Sequence, residues 1–126
     1  MKEKLKNRSV LIVDDDERNR YALSSYLDML EMKVFTANDG QSALSLLRGG
    51  DAIDLILLDI MMPGMDGYEM LRLLRNDNEL KDIPVIAVTA RAMMGDEAKC
   101  LAAGASDYIP KPIDLQKFVS KMLKWL

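Results

Sequence analysis

Four carboxylates, a hydroxyl and an ammonium carry the chemistry this chain offers: Asp14, Asp15 and Asp16 in succession, then Asp59, Thr89 and Lys111. Each group directly follows a short apolar run: SVLIV before the acidic triplet, DLILL before Asp59, PVIAV before Thr89 and DYIP before Lys111. Gathered at one place, several carboxylates repel, and one of them is forced up in pKa unless a cation neutralises the set. The donors are all oxygen. Mg²⁺ accepts one or two carboxylates, a carbonyl and retained waters, so it suits them better than zinc. Lys111 adds a fixed positive charge and Thr89 a hydroxyl donor. A carboxylate so flanked is suited to attack a phosphoryl group, because phosphoryl transfer needs positioning and charge neutralisation more than proton relays. Asp59 is the expected nucleophile, and its product an acyl phosphate.

The composition removes most other chemistries. At 126 residues there is room for one domain, and 49% hydrophobic residues supply its core. With 17 Lys and Arg against 20 Asp and Glu the net charge is −3, so the basic footprint of a direct nucleic-acid binder is missing. The sequence contains no histidine, which excludes Ser-His-Asp and Cys-His catalysis. Its single cysteine, Cys100, forms no intramolecular disulfide, and a cytoplasmic location is expected. No apolar run is long enough for a membrane span, and the polar start is not a signal segment. Residues 1–8, with Lys2, Lys4, Lys6 and Arg8, read as a flexible basic arm ahead of a domain over 9–126.

The elements that must position these groups alternate five times between strand and helix. Strands are predicted at Ser9–Val13, Val34–Ala37, Asp54–Leu58, Pro84–Val88 and Asp107–Ile109. The first helix is predicted over Glu17–Glu31, on the stripe Leu23, Tyr26, Leu27 and Leu30. A second follows a cap at Asp39 and stops at Gly49-Gly50, a third spans Gly67–Arg75, and a fourth spans about Ala92–Ala103. The last carries Leu115, Phe118, Val119, Met122 and Leu126 on one face. Strand-helix alternation predicts an α/β, doubly wound, five-stranded parallel sheet whose reactive crevice lies beyond the carboxyl ends of the strands. Four different strands would deliver the acidic, hydroxyl and ammonium groups there.

Asp14-Asp15, LILLDIMMPGMDG over Leu55–Gly67, VTA over Val88–Ala90 and YIPKP over Tyr108–Pro112 together resemble the receiver domain of bacterial two-component response regulators. Segments such as IVDDDERNR most closely resemble free-standing receivers and those attached to hybrid kinases. The resemblance spans Val10 to Leu126, and four motifs in order make it specific. It implies a flavodoxin-like sheet of order 2-1-3-4-5. It further implies that Asp59 takes a phosphoryl group from a phosphohistidine on a histidine kinase or histidine phosphotransfer protein. Because the chain has no histidine, that donor is not among these residues. Asp15, Asp59 and the backbone carbonyl of Met61 would bind Mg²⁺ directly, and Asp14 mainly through water. Lys111 would pair with Asp59 and then with the phosphoryl group. Thr89 and Tyr108 would move together as a switch, Lys111-Pro112 would be cis, and the surface of the fourth helix, fifth strand and fifth helix would change. Output would pass to a downstream protein, or to a homodimer through that surface. Such a domain catalyses its own phosphorylation and dephosphorylation rather than turning over a substrate, with Met61 and Arg91 tuning a slow to intermediate phosphate loss. Asp16 has no assigned role, and Cys100 is expected to be an inert packing residue.

Three other readings share parts of this pattern. A receiver-like module that binds proteins without phosphorylation would ordinarily have lost some of the acidic pair, Asp59, Thr89 or Lys111, and all are present. A flavin-binding electron carrier needs a phosphate-cradling loop after the first strand, where three aspartates stand instead. An aspartate-nucleophile phosphatase places a second carboxylate two residues after the first, and that position holds Met61.

Overall fold

The computed structural model describes residues 2–50, 52–60, 67–89 and 96–126. Five strands, β1 (Ser9–Val13), β2 (Lys33–Ala37), β3 (Leu55–Asp59), β4 (Val85–Thr89) and β5 (Asp107–Pro110), alternate with five helices. These are α1 (Glu17–Met29), α2 (Gly40–Arg48), α3 (Gly67–Arg75), α4 (Asp96–Ala103) and α5 (Leu115–Trp125). All strand pairs are parallel, in the order β2-β1-β3-β4-β5. This is the doubly wound sheet that the alternation predicts.

The three inner strands are aliphatic along both faces because both faces are covered, and every residue of β1, β3 and β4 is buried. Alternate side chains then fall into two cores. Leu11, Val13, Ile56, Leu58, Val85 and Ala87 pack with Ala43, Leu44 and Leu47 of α2, Met70, Leu71 and Leu74 of α3, and Cys100 of α4. Val10, Ile12, Leu55, Leu57, Ile86 and Val88 pack on the other face with Leu23 and Leu27 of α1 and Phe118, Val119 and Met122 of α5. Truncating the fully buried Phe118 to Ala removes about 3–5 kcal/mol.

Local chemistry sets the element ends. Asp16, Asp39 and Asp114 cap α1, α2 and α5 by accepting backbone N–H groups of the first turn, a contribution of about 1 kcal/mol each. Helix α1 ends at Met29 rather than at Glu31. Glu31 adopts φ 62°, and the amides of Glu31 and Met32 return to the carbonyls of Asp28 and Leu27. That left-handed close usually uses glycine, so the sequence carried no stop signal there. The N-terminal segment also differs from the solvated arm expected of it. Lys2–Leu5 form one 3-10 turn, and Leu5 is fully buried in the α1/α5 core, since a lone leucine among lysines still gains by leaving water.

Candidate functional site

The parallel register sets the carboxyl ends of β1, β3 and β4 side by side, with Val13 opposite Leu58 and Asp59 opposite Val88. Asp59 is the last residue of β3 and Thr89 the last of β4, one position further along each strand than the sequence suggested. Both are buried, at 1% and 3% exposure, and Asp14 is buried at 3%. Asp15 is exposed. One carboxylate oxygen from each of Asp14, Asp15 and Asp59 lies within 4.8 Å of the others. Lys111 reaches in from beyond β5, its Nζ donating to Asp59 Oδ2 at 2.8 Å. Its backbone N–H donates to the carbonyl of Thr89 at 2.7 Å, so β4 and Lys111 are tied at the same edge. The peptide bond between Lys111 and Pro112 is cis.

Three carboxylates and one ammonium leave this pocket with a formal charge of −2 when all are ionised. Two unit charges at the observed spacing repel by about 3 kcal/mol at an effective dielectric constant of ~20, so one lysine does not neutralise the set. The strain falls on Asp14. Burial pushes its carboxyl above the ordinary value of 3.8 and the charge of Asp59 adds to this, against the opposing pull of the Asp16 N–H, Lys111 and Asn19. Burial disfavours the Lys111 ammonium, but its hydrogen bond to Asp59 and the charges of Asp59, Asp14 and Asp15 outweigh that and hold its pKa above 10.5. An all-oxygen donor set two charges short of neutrality fits a hard divalent cation such as Mg²⁺.

The acidic loop after β1 is held from several sides. Asp14 N–H donates to Ala37 O at 3.1 Å, and Asp16 N–H donates to Asp14 Oδ1 at 2.8 Å. Arg20 Nη1 donates to Asp14 O at 2.7 Å. Asp16, left without a role by the sequence, thus caps α1 and orients Asp14 as well. On the far side of Asp59, Gly67 N–H donates to Ile60 O at 3.0 Å, closing the base of the loop that joins β3 to α3. A Cβ on Gly67 would stand 2.5 Å from the Cα of Ile60, so only glycine lets α3 start this close to the residue after Asp59.

Tyr108 is half-buried, with Lys121 Nζ 5.5 Å from its ring centroid. The neighbouring Asp107 accepts from Lys121 Nζ at 2.9 Å and from Trp125 Nε1 at 3.0 Å, fastening β5 to the end of α5. Met61, its backbone carbonyl and Arg91 lie outside the described residues, as does the expected beginning of the fourth helix at Ala92. Pattern reading missed Arg20, Asp107 and the contact of Gly67 with Ile60. An arginine in the first turn after an acidic triplet was the available signal for Arg20. The other two depend on pairings across the fold. A cleft of about 620 Å³, walled by Asn19, Ala22 and Leu23 of α1 and by residues 111–113 and Leu115, opens beside Lys111.

Residues 10–123 match the family model described as "Response regulator receiver domain". The chain is 45% identical over 105 residues to the response regulator PleD of Caulobacter vibrioides, covering 83% of this chain but 23% of that relative. It therefore spans about a quarter of the length of the first curated relatives it matches. It is 39% identical over 119 residues to the polar-differentiation response regulator DivK of Brucella anthropi, covering 94% of this chain and 96% of the relative. Among solved structures it superimposes on the receiver domain of a Pseudomonas aeruginosa sensor histidine kinase, which has a magnesium ion in its active-site cleft. The TM-score is 0.85 at 31% identity, over 94% of this chain and 97% of that one. It also superimposes on the Saccharomyces cerevisiae Ssk1 receiver domain, solved with the histidine phosphotransfer protein Ypd1. The TM-score is 0.87 at 27% identity, over 96% of this chain and 90% of that one.

Proposed function

As the chain belongs to the response regulator receiver family, whose model covers residues 10–123, we propose that it is a phosphoacceptor switch in which Asp59 takes a phosphoryl group from a phosphohistidine on another protein. The observation that carries this reading is the pairing of buried Asp59 with Lys111 at 2.8 Å inside a three-carboxylate cluster. A buried acid in that setting is built to be neutralised by a cation and to hold an added anion. Asp15 and Asp59, with Asp14 through water, would hold a divalent ion, which would supply charge neutralisation as the phosphoryl group arrives. An oxygen of Asp59 attacks phosphorus. The P–N bond to the donor imidazole breaks, its electron pair stays on the imidazole nitrogen, and an acyl phosphate remains on Asp59. Lys111 then pairs with a phosphoryl oxygen and Thr89 donates its hydroxyl to another.

The mostly apolar cleft beside Lys111 gives the donor protein a seat from which its phosphohistidine reaches Asp59. The Ssk1 receiver's complex with Ypd1 supports a donor of that kind. Phosphorylation makes Asp59 more negative and draws Thr89 toward it. Tyr108 follows, changing the surface of α4, β5 and α5 for a downstream protein or a second copy of the chain. With the acid cluster, Thr89 and Lys111 all in place, a phosphorylation-independent docking module is not favoured. No helix among the described residues is long and apolar enough to cross a membrane, and a cytoplasmic site of action suits both the buried Cys100, which forms no disulfide, and a kinase donor.

The test is mass spectrometry after incubation with acetyl phosphate, with and without Mg²⁺, on the wild type and Asp59→Ala. The wild type with Mg²⁺ gains one phosphate, and neither the metal-free sample nor the variant does. Equal labelling of Asp59→Ala would rule the assignment out.

A further inference from the structure

We infer that Arg20 is a positioning residue for the divalent-ion pocket: its guanidinium holds the peptide between Asp14 and Asp15 so that both carboxylates meet Asp59. The inference rests on the metal-binding reading of that pocket and names a residue that pattern reading left out. Asp14 is restrained at three atoms. Its N–H donates to Ala37 O, its Oδ1 accepts from the Asp16 N–H, and its carbonyl accepts from Arg20 Nη1 at 2.7 Å. The first two restraints use backbone partners that almost any sequence would supply. The third depends on one side chain reaching back from the first turn of α1, whose own N–H is fixed to Asp16 O at 3.0 Å.

The Asp14 carbonyl and the Asp15 amide share one rigid peptide plane, so pinning the oxygen sets ψ of Asp14 and φ of Asp15 together. Those two angles aim the two side chains. A charge-assisted bond at 2.7 Å is among the stronger single restraints a half-buried side chain can provide. Because it ends on a carbonyl rather than a carboxylate, it orients the ligands without occupying their oxygens. If the peptide is free to rotate, Asp14 and Asp15 pay an ordering cost each time an ion binds.

Charge and positioning make opposite predictions. Deleting a cation near an acidic pocket strengthens Mg²⁺ binding by Coulomb's law, whereas loosening the ligands weakens it. Mg²⁺ is titrated calorimetrically into the wild type, Arg20→Ala, Arg20→Lys and Arg18→Ala, the last removing the same charge from the exposed side of the same turn. Metal-free melting curves report whether each is folded. Arg20→Ala is expected to bind Mg²⁺ about tenfold more weakly, the usual scale for losing an outer partner of a metal ligand. Arg20→Lys falls between, and Arg18→Ala binds as well as the wild type or better. Mg²⁺ affinity in Arg20→Ala within about twofold of the wild type, or tighter, overturns the inference, and Arg20→Lys is judged by the same limit if Arg20→Ala does not fold. A wild type that binds no Mg²⁺ overturns the metal reading along with it, whereas wild-type binding with an unaffected variant overturns this inference alone.

Discussion

Lys111 grips two strand ends at once, donating its ammonium to Asp59 Oδ2 at 2.8 Å and its backbone N–H to Thr89 O at 2.7 Å. The phosphoacceptor and the hydroxyl residue of the proposed switch therefore share one anchor. Lys111→Met keeps most of the side-chain volume and removes the charge. The metal-free variant is expected to lose about 1–2 kcal/mol in denaturant unfolding, less than the ~3–5 of a fully buried pair because the Lys111 side chain keeps 32% exposure. Calorimetry should show Mg²⁺ binding tightened several-fold, since the pocket becomes more negative, while phosphate incorporation falls. Weaker Mg²⁺ binding in this variant would contradict the electrostatic account.

The raised pKa of Asp14 gives a pH dependence of definite sign. Between 3.8 and its raised folded value, the native state holds this proton more tightly than the unfolded chain does. Metal-free stability should therefore fall as pH rises through that window. Asp14→Asn keeps the oxygen that accepts from Asp16, abolishes this decline and melts higher than the wild type at neutral pH without metal. It also loses much of the stabilisation that Mg²⁺ gives the wild type. Thermal melts across pH, with and without Mg²⁺, check both points, and a lower metal-free melting temperature for the variant would count against the repulsion argument.

Asp107 carries the opposite sign. Burial disfavours its charge, but bonds from Lys121, Trp125 and the Tyr108 N–H outweigh that and hold it below 3.8. Its stabilisation is present above 3.8 and is lost as pH falls through the lowered folded value. Asp107→Asn should cost about 1–2 kcal/mol at neutral pH, and its stability curve should converge on the wild type in acid. A constant gap down to low pH would show that the ionised contacts are not the source.

Gly67→Ala places a Cβ 2.5 Å from the Cα of Ile60, and backbone rather than a flexible side chain must yield. A loss of about 1–3 kcal/mol is expected in chemical unfolding, the range for forced overpacking. Because Ile60 directly follows Asp59, phosphate incorporation measured where the variant is fully folded should also fall. Unchanged stability would mean that the start of α3 shifts without resistance.

The gathering of Asp14, Asp15, Asp59 and Lys111 was legible in the sequence because these groups stand at the ends of short apolar runs, and parallel strands align their carboxyl ends, whereas the strand order was legible only through the resemblance to receiver domains. Four features were not. The stop of α1 at Met29 uses Glu31 in a left-handed conformation, which no glycine announces. Leu5 looks like part of a charged arm until α1 and α5 provide the apolar surface that buries it. Arg20 and Gly67 act through one hydrogen bond to a carbonyl and one backbone approach, and neither depends on a residue pattern with a fixed period.

The most direct measurement chemically traps the acyl phosphate. The protein is labelled with acetyl phosphate and Mg²⁺, reduced with borohydride, which converts an aspartyl phosphate to homoserine, and its peptides are sequenced by mass spectrometry. The account predicts homoserine at position 59 alone, and none when the metal is chelated. Homoserine at Asp14 or Asp15, or labelling that persists without a divalent ion, would contradict it.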